Sequence, residues 1–154
     1  MISLSELTEY TDRLLRAGEI ADYCPNGLQV EGRQEVRRIV SGVTASLALL
    51  EAAAAAAADL VLVHHGYFWK GEDPRLVGMK GRRLGFLLRH DISLLAYHLP
   101  LDAHPELGNN AQLAARLGIT CAGSLDGGPA PLIWHGHFSE PLSAEQLTER
   151  LAGV

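Results

Sequence analysis

The chain is 154 residues long, enough for one domain with a sizeable buried core. Hydrophobic residues make up 47% of it and charged residues 20%, a balance that excludes an intrinsically disordered chain. The formal net charge is -5, and lysines and arginines are scattered, so there is no electrostatic case for nucleic acid as a partner.

The N-terminus, Met1-Ile2-Ser3-Leu4-Ser5-Glu6, lacks the basic-then-apolar order of a signal peptide. No apolar stretch reaches membrane-spanning length; the alanine-rich run at Ala52–Ala58 soon meets Asp59. Cys24 and Cys121 are far apart and match no metal or redox spacing. These features lead us to expect a cytoplasmic protein with two free thiols.

Ser3 and Glu6 form a capping-box pattern, with Leu4, Leu7, Leu14 and Leu15 at helical spacing behind it. That helix is expected to end near Ala17-Gly18, where glycine accepts a left-handed cap. Asp22–Val30 contains Pro25 and Asn26-Gly27 and reads as a loop. Val36–Val43 is β-branched and reads as the first strand. Ser46–Ala58, with seven consecutive alanines, suits a helix lying close against a sheet.

Asp59–Val63 is a short continuous apolar run, as expected of a strand covered on both faces. The aromatic loop Tyr67–Trp69 follows, its residues better suited to packing or an oligomer contact than to a substrate platform. Gly81–His90 reads as a helix and Ile92–Tyr97 as a strand. Pro100 biases the residue before it towards extended geometry, so His98–Asp102 is not expected to be helical throughout. Asn109 and Gln112 resemble a capping pattern for a helix reaching Leu117-Gly118. Gly123–Pro131 reads as a loop, Leu132–Phe138 as a strand, and Ser143 with Gln146 as the cap of a last helix. Alternating strands and helices predict a single α/β domain over residues 1–154 with a mixed, largely parallel sheet.

Chemistry concentrates at two strand ends. Val61-Leu62-Val63 runs into His64-His65, and Leu94-Leu95-Ala96-Tyr97 runs into His98, with Asp102 four residues on. Side-by-side strand ends would gather three imidazoles and a carboxylate, a donor set suited to zinc, manganese, iron, cobalt or nickel. Adjacent residues on an extended segment point to opposite sides, so His64 and His65 serve one ion only if the backbone turns, and two ions more easily. A carboxylate such as Asp102 can bridge two ions, and a dinuclear site lowers the pKa of a water from 15.7 towards about 7. His90 and His104 read as surface residues near turns; His135 and His137, two apart on one strand face, have a spacing that can bind zinc but read as structural. No phosphate-cradling glycine loop with a lysine is present, and no serine sits in a nucleophile motif.

Three blocks resemble one known family: Asp22–Gly32 (DYCPNGLQVEG), His64–Glu72 (HHGYFWKGE) and Tyr97–Asn110 (YHLPLDAHPELGNN). It is the NIF-three-like dinuclear metal-centre family, known as GTP cyclohydrolase 1 type 2-like, and its short bacterial branch in particular. The resemblance implies two bound metal ions, with His64, His65, His98 and Asp102 on ligand positions and Asp102 bridging. It also implies intertwined α/β repeats with mixed sheets and a toroidal homo-hexamer whose metal sites face an internal cavity. Family members are longer, and their remaining ligands, a histidine and a glutamate, lie in a C-terminal segment that this chain stops before. His137 and Glu140 do not match that motif. The expectation is therefore an open, weaker site that holds one ion or none.

Two functions follow from this reading. One is a metal-dependent hydrolase acting on a nucleotide or another small phosphorylated or cyclic amide substrate, with Lys70 and Trp69 placed to hold it. The other is a non-catalytic metal-binding or regulatory assembly protein.

Overall fold

The computed structural model describes residues 1–125 and 132–154, so most of the loop expected over Gly123–Pro131 lies outside the described residues. The chain divides into two compact units, Met1–His98 and Leu99–Val154.

The first unit opens with β1 (Ile2–Ser3) and α1 (Leu4–Leu15). The capping box forms as the sequence predicts: the Ser3 hydroxyl accepts from the Glu6 amide while the Glu6 carboxylate accepts from the Ser3 amide. The helix ends earlier than Gly18, however. Arg16 takes the left-handed cap at φ 54°, its amide bonded back to Arg13 and Asp12. Its guanidinium is paired with Glu19 across the start of the next turn.

β2 (Gly27–Val30) is a strand where the sequence reads as a loop. The Asn26-Gly27 signal is real, since Gly27 has φ 95°, but it marks the entry to the strand rather than the middle of a turn. β3 (Glu35–Val36) pairs with β1, and β4 (Ile39–Thr44) belongs to another sheet, so the expected single strand over Val36–Val43 is broken. The break has a cause at Arg37 and Arg38, whose amides donate to the Asp59 carboxylate at 2.8 and 2.9 Å instead of to a ladder.

The alanine-rich helix is α2 (Leu47–Ala55), capped by Ser46. β5 (Leu60–His65), α3 (Gly78–Arg89) and β6 (Ser93–Ala96) complete the unit. The main sheet has the order β2-β6-β5-β4, with β4, β5 and β6 parallel and β2 antiparallel on β6. This is the mixed, largely parallel α/β arrangement expected. Leu50 and Ala53 of α2, Leu84 and Leu87 of α3, and Val61, Val63, Leu94 and Ala96 of the strands form one core. Strand alternation sends Tyr97 to the other face, where its hydroxyl meets Thr11 and Asp12 of α1 at 2.6 and 2.7 Å.

In the second unit, α4 (Leu99–Ala103) leaves His98 outside the helix, as expected of His98–Asp102, but Leu99, the residue before Pro100, is helical and not extended. Proline is tolerated in the first turn of a helix, where its missing amide proton has no intrahelical acceptor. α5 (Asn109–Leu117) is capped by Gly108, which has no side chain to offer, while Asn109 donates to Asp102 and Gln112 to the Glu106 carbonyl instead of forming the expected cap. Its other end follows the sequence, with Gly118 left-handed at φ 71°. β7 (Ile119–Ser124) and β8 (Trp134–Phe138) pair antiparallel, so Gly123 and Ser124 belong to a strand and not to the expected loop. α6 (Ala144–Ala152) carries the Ser143–Gln146 capping box. Among the described residues no helix is long and apolar enough to cross a membrane.

Candidate metal centre

The parallel register places the ends of β5 and β6 together: Val63 lies opposite Ala96, and the Tyr97 amide donates to the Val63 carbonyl at 3.0 Å. His64 and His65 close β5, and His98 follows β6 by two residues. The three rings meet there, with centroids 4.5 Å apart for His64 and His65, 5.0 Å for His64 and His98, and 5.7 Å for His65 and His98. One ligand atom from each lies within 4.8 Å of the other two. Nitrogens about 2.05 Å from one tetrahedral zinc lie about 3.4 Å apart, so the three rings stand near enough to share an ion once they close in on it. The alternation of a strand, which would separate His64 from His65, does not keep their rings apart at this strand end.

Each histidine has a partner at Nδ1. His64 Nδ1 lies 2.9 Å from the Tyr97 carbonyl, His98 Nδ1 lies 2.8 Å from Asp22 Oδ1, and His65 Nδ1 lies 3.3 Å from the Thr44 hydroxyl. A carbonyl and a carboxylate only accept, so His64 and His98 carry the proton on Nδ1 and the lone pair on Nε2 when neutral. An imidazole whose second nitrogen donates to oxygen in this way is the usual form of a metal ligand.

Asp22, Cys24 and His98 form a second group of ligand atoms within 4.8 Å of one another. Burial, with the Asp22 charge adding to it, pushes the Cys24 thiol up to about 11. A cation there would have to displace that proton, and the Asp22 oxygen of the group is already turned to His98 Nδ1 at 2.8 Å. The histidine group is the better cation site of the two. Among the described residues, His90, His104, His135 and His137 join no such group. His90 stacks on Phe86 with centroids 4.1 Å apart, and His104 Nδ1 accepts from the Glu106 and Leu107 amides.

The turn after β5 is tightly built. A Cβ on Gly66 would stand 2.6 Å from that of Ala96 and collide with Gln29, whose Oε1 accepts from the Tyr67 amide at 2.7 Å. Tyr67 is buried, its hydroxyl donating to the Ala45 carbonyl at 2.7 Å, which bears out a packing role for that ring. Phe68 adopts φ 66°, a left-handed value rare for a bulky residue. Beyond it, Trp69 stands edge-on to His98 at 5.0 Å and 6.0 Å from His65. The Lys70 amide donates to the Tyr23 carbonyl at 2.6 Å, tying this turn to the Asp22 loop, and the Lys70 side chain is exposed. Asp102 lies in α4 of the second unit, where Oδ1 accepts from Asn109 Nδ2 at 2.7 Å.

The sequence reading missed Asp22, Asn26 and Thr44 as partners of the histidines. Asp22 is 76 residues from His98, and the only trace of its role was its place in a block that resembled the family.

Residues 2–154 match the profile of the Duf34/NIF3 (NGG1p interacting factor 3) family. A Pseudomonas aeruginosa protein named GTP cyclohydrolase 1 type 2 homolog is 66% identical over 142 residues, which cover 92% of this chain and 56% of that protein. The chain thus spans little more than half the length of that relative. Among solved structures, one described as protein ybgI of unknown function is 51% identical with TM-score 0.93, covering 99% of this chain and 60% of the other. TTHA1606 from Thermus thermophilus is 38% identical with TM-score 0.86, over 99% of this chain and 61% of the other. On the match to nearly its whole length, this chain belongs to the Duf34/NIF3 family.

Proposed function

We propose that the chain binds divalent transition metal through His64, His65 and His98, and that the whole protein is a metal-dependent hydrolase. The observation that carries the metal reading is the gathering of three imidazole ligand atoms within 4.8 Å of one another, each ring bonded at Nδ1. Asp102 enters as a bridging ligand, and a second ion with it, on the family resemblance alone. So does assembly into a homo-hexamer, while a cytoplasmic setting is proposed from the two free cysteines. When bound, such ions supply Lewis acidity and acidify a water at neutral pH.

The chain's own residues would hold and orient. Trp69, edge-on to His98, forms an apolar wall beside the histidines, against which a flat heterocycle can lie. Lys70, one residue on and exposed, would meet a phosphate. A nucleotide or similar small substrate fits both groups, and the name of the Pseudomonas relative supports a guanine nucleotide as the first to try.

Elemental analysis of the protein, with His65→Ala and Asp102→Ala as a double variant, tests the metal claim. Zinc, manganese, iron, cobalt or nickel bound by the wild type and absent from the variant is the expected result; equal content in both would overturn the assignment. The metal-loaded protein is then offered GTP and a panel of phosphorylated and cyclic amide compounds. Metal without turnover of any of them would favour the non-catalytic reading.

A further inference from the structure

We infer that Asp22, braced by Asn26, is a positioning residue that locks His98 into the tautomer with its lone pair on Nε2. Its use for metal rests on the reading above; the tautomer itself does not.

The Asp22 side chain is 2% exposed, and both its oxygens are engaged as acceptors. Oδ1 lies 2.8 Å from His98 Nδ1, and Oδ2 accepts from Asn26 Nδ2 at 2.9 Å. Asn26 Oδ1 in turn accepts from the His98 backbone amide at 2.7 Å. The three residues close a ring of hydrogen bonds that grips His98 by backbone and by imidazole at once. Mere attachment of the loop to the sheet would be served by the Asn26 bond to the His98 amide. The further bond reaches the imidazole itself, and it comes from a group that can only accept.

Asparagine, the nearest isostere of Asp22, cannot take its place. It has one acceptor and one donor where this site requires two acceptors. If the amide oxygen of Asp22→Asn stays with Asn26, the NH₂ group faces His98 Nδ1 and selects the Nε2–H form, which has no lone pair to give an ion. If the amide is turned round, its NH₂ opposes the NH₂ of Asn26 and the brace is lost. Asp22→Glu keeps both acceptors.

Long-range ¹H–¹⁵N spectra of the histidine rings, taken on the metal-free protein, read the tautomer directly. Zinc affinity by competition with a chromophoric chelator reads its consequence. The wild type is expected to show His98 protonated at Nδ1, and Asp22→Asn to show a population protonated at Nε2. Zinc affinity in Asp22→Asn is expected to fall about 10–100-fold. Asp22→Glu is expected to restore the Nδ1–H signal. A wild-type His98 protonated at Nε2 would overturn the inference whatever the variants do, and so would an Asp22→Asn protein that keeps the Nδ1–H form. If the tautomers behave as stated but the wild type binds no zinc, the positioning role stands and the metal reading falls.

Discussion

Asp59 shows how one carboxylate can shape a segment remote from it in sequence. It is 8% exposed and accepts from the Arg37 and Arg38 amides, while Arg33 Nη1 reaches it at 3.0 Å. Burial alone would raise its pKa, but the two amide bonds and the Arg33 charge outweigh burial and hold the carboxyl below its ordinary value. A depressed folded-state pKa contributes stability that is fully present above the unfolded value of about 3.9 and is lost as pH falls through the folded one. Asp59→Asn keeps the shape and removes the charge. It should cost about 1–3 kcal/mol at pH 7, as expected for hydrogen bonds to a buried charged group. Urea denaturation of both proteins at pH 7 and pH 3 checks this, and the gap between them should narrow at the lower pH. A gap of the same size at both would show that the carboxylate charge is not what holds Arg37 and Arg38.

At the scale of the element, α1 is set by its own first turn. The Ser3 hydroxyl and the Glu6 carboxylate satisfy amides that the helix leaves without internal partners. Ser3→Ala should cost about 1 kcal/mol, read as a lower urea midpoint with an unchanged m-value. No change in midpoint would mean that packing of Leu4 and Leu15 alone decides this helix. The same locality explains which elements were legible. Both capping boxes, the alanine helix and the apolar runs of β5 and β6 are written within a few residues of themselves. β2 is not: it becomes a strand by pairing Leu28 with Leu95, a partner far along the chain. The left-handed cap at Arg16 was a different kind of miss: a non-glycine residue took a conformation for which Gly18 was the simpler guess. The candidate site divides in the same way. Its histidines stand at recognisable strand ends, whereas Asp22 and Thr44 reach them only through the folded sheet.

Across the molecule, the three histidines come from two neighbouring central strands, so an ion among them would cross-link the middle of the first unit's sheet. Metal binding and folding are then linked. A ligand that binds only the native state at one hundred times its Kd adds about 2.7 kcal/mol of stability. For a chain of this size that is a rise of roughly 5–10 °C in the thermal midpoint. Excess zinc should therefore raise the midpoint of the wild type, and EDTA should return it. The double variant His64→Ala, His98→Ala keeps the other histidines and both cysteines, so it retains the adventitious binding that an unfolded chain offers, and its midpoint should not rise. Scanning calorimetry at matched protein concentration makes the comparison. An equal rise in wild type and variant would place the zinc elsewhere. A rise confined to the wild type would tie the metal to the junction of β5 and β6, where the Asp22 brace also acts.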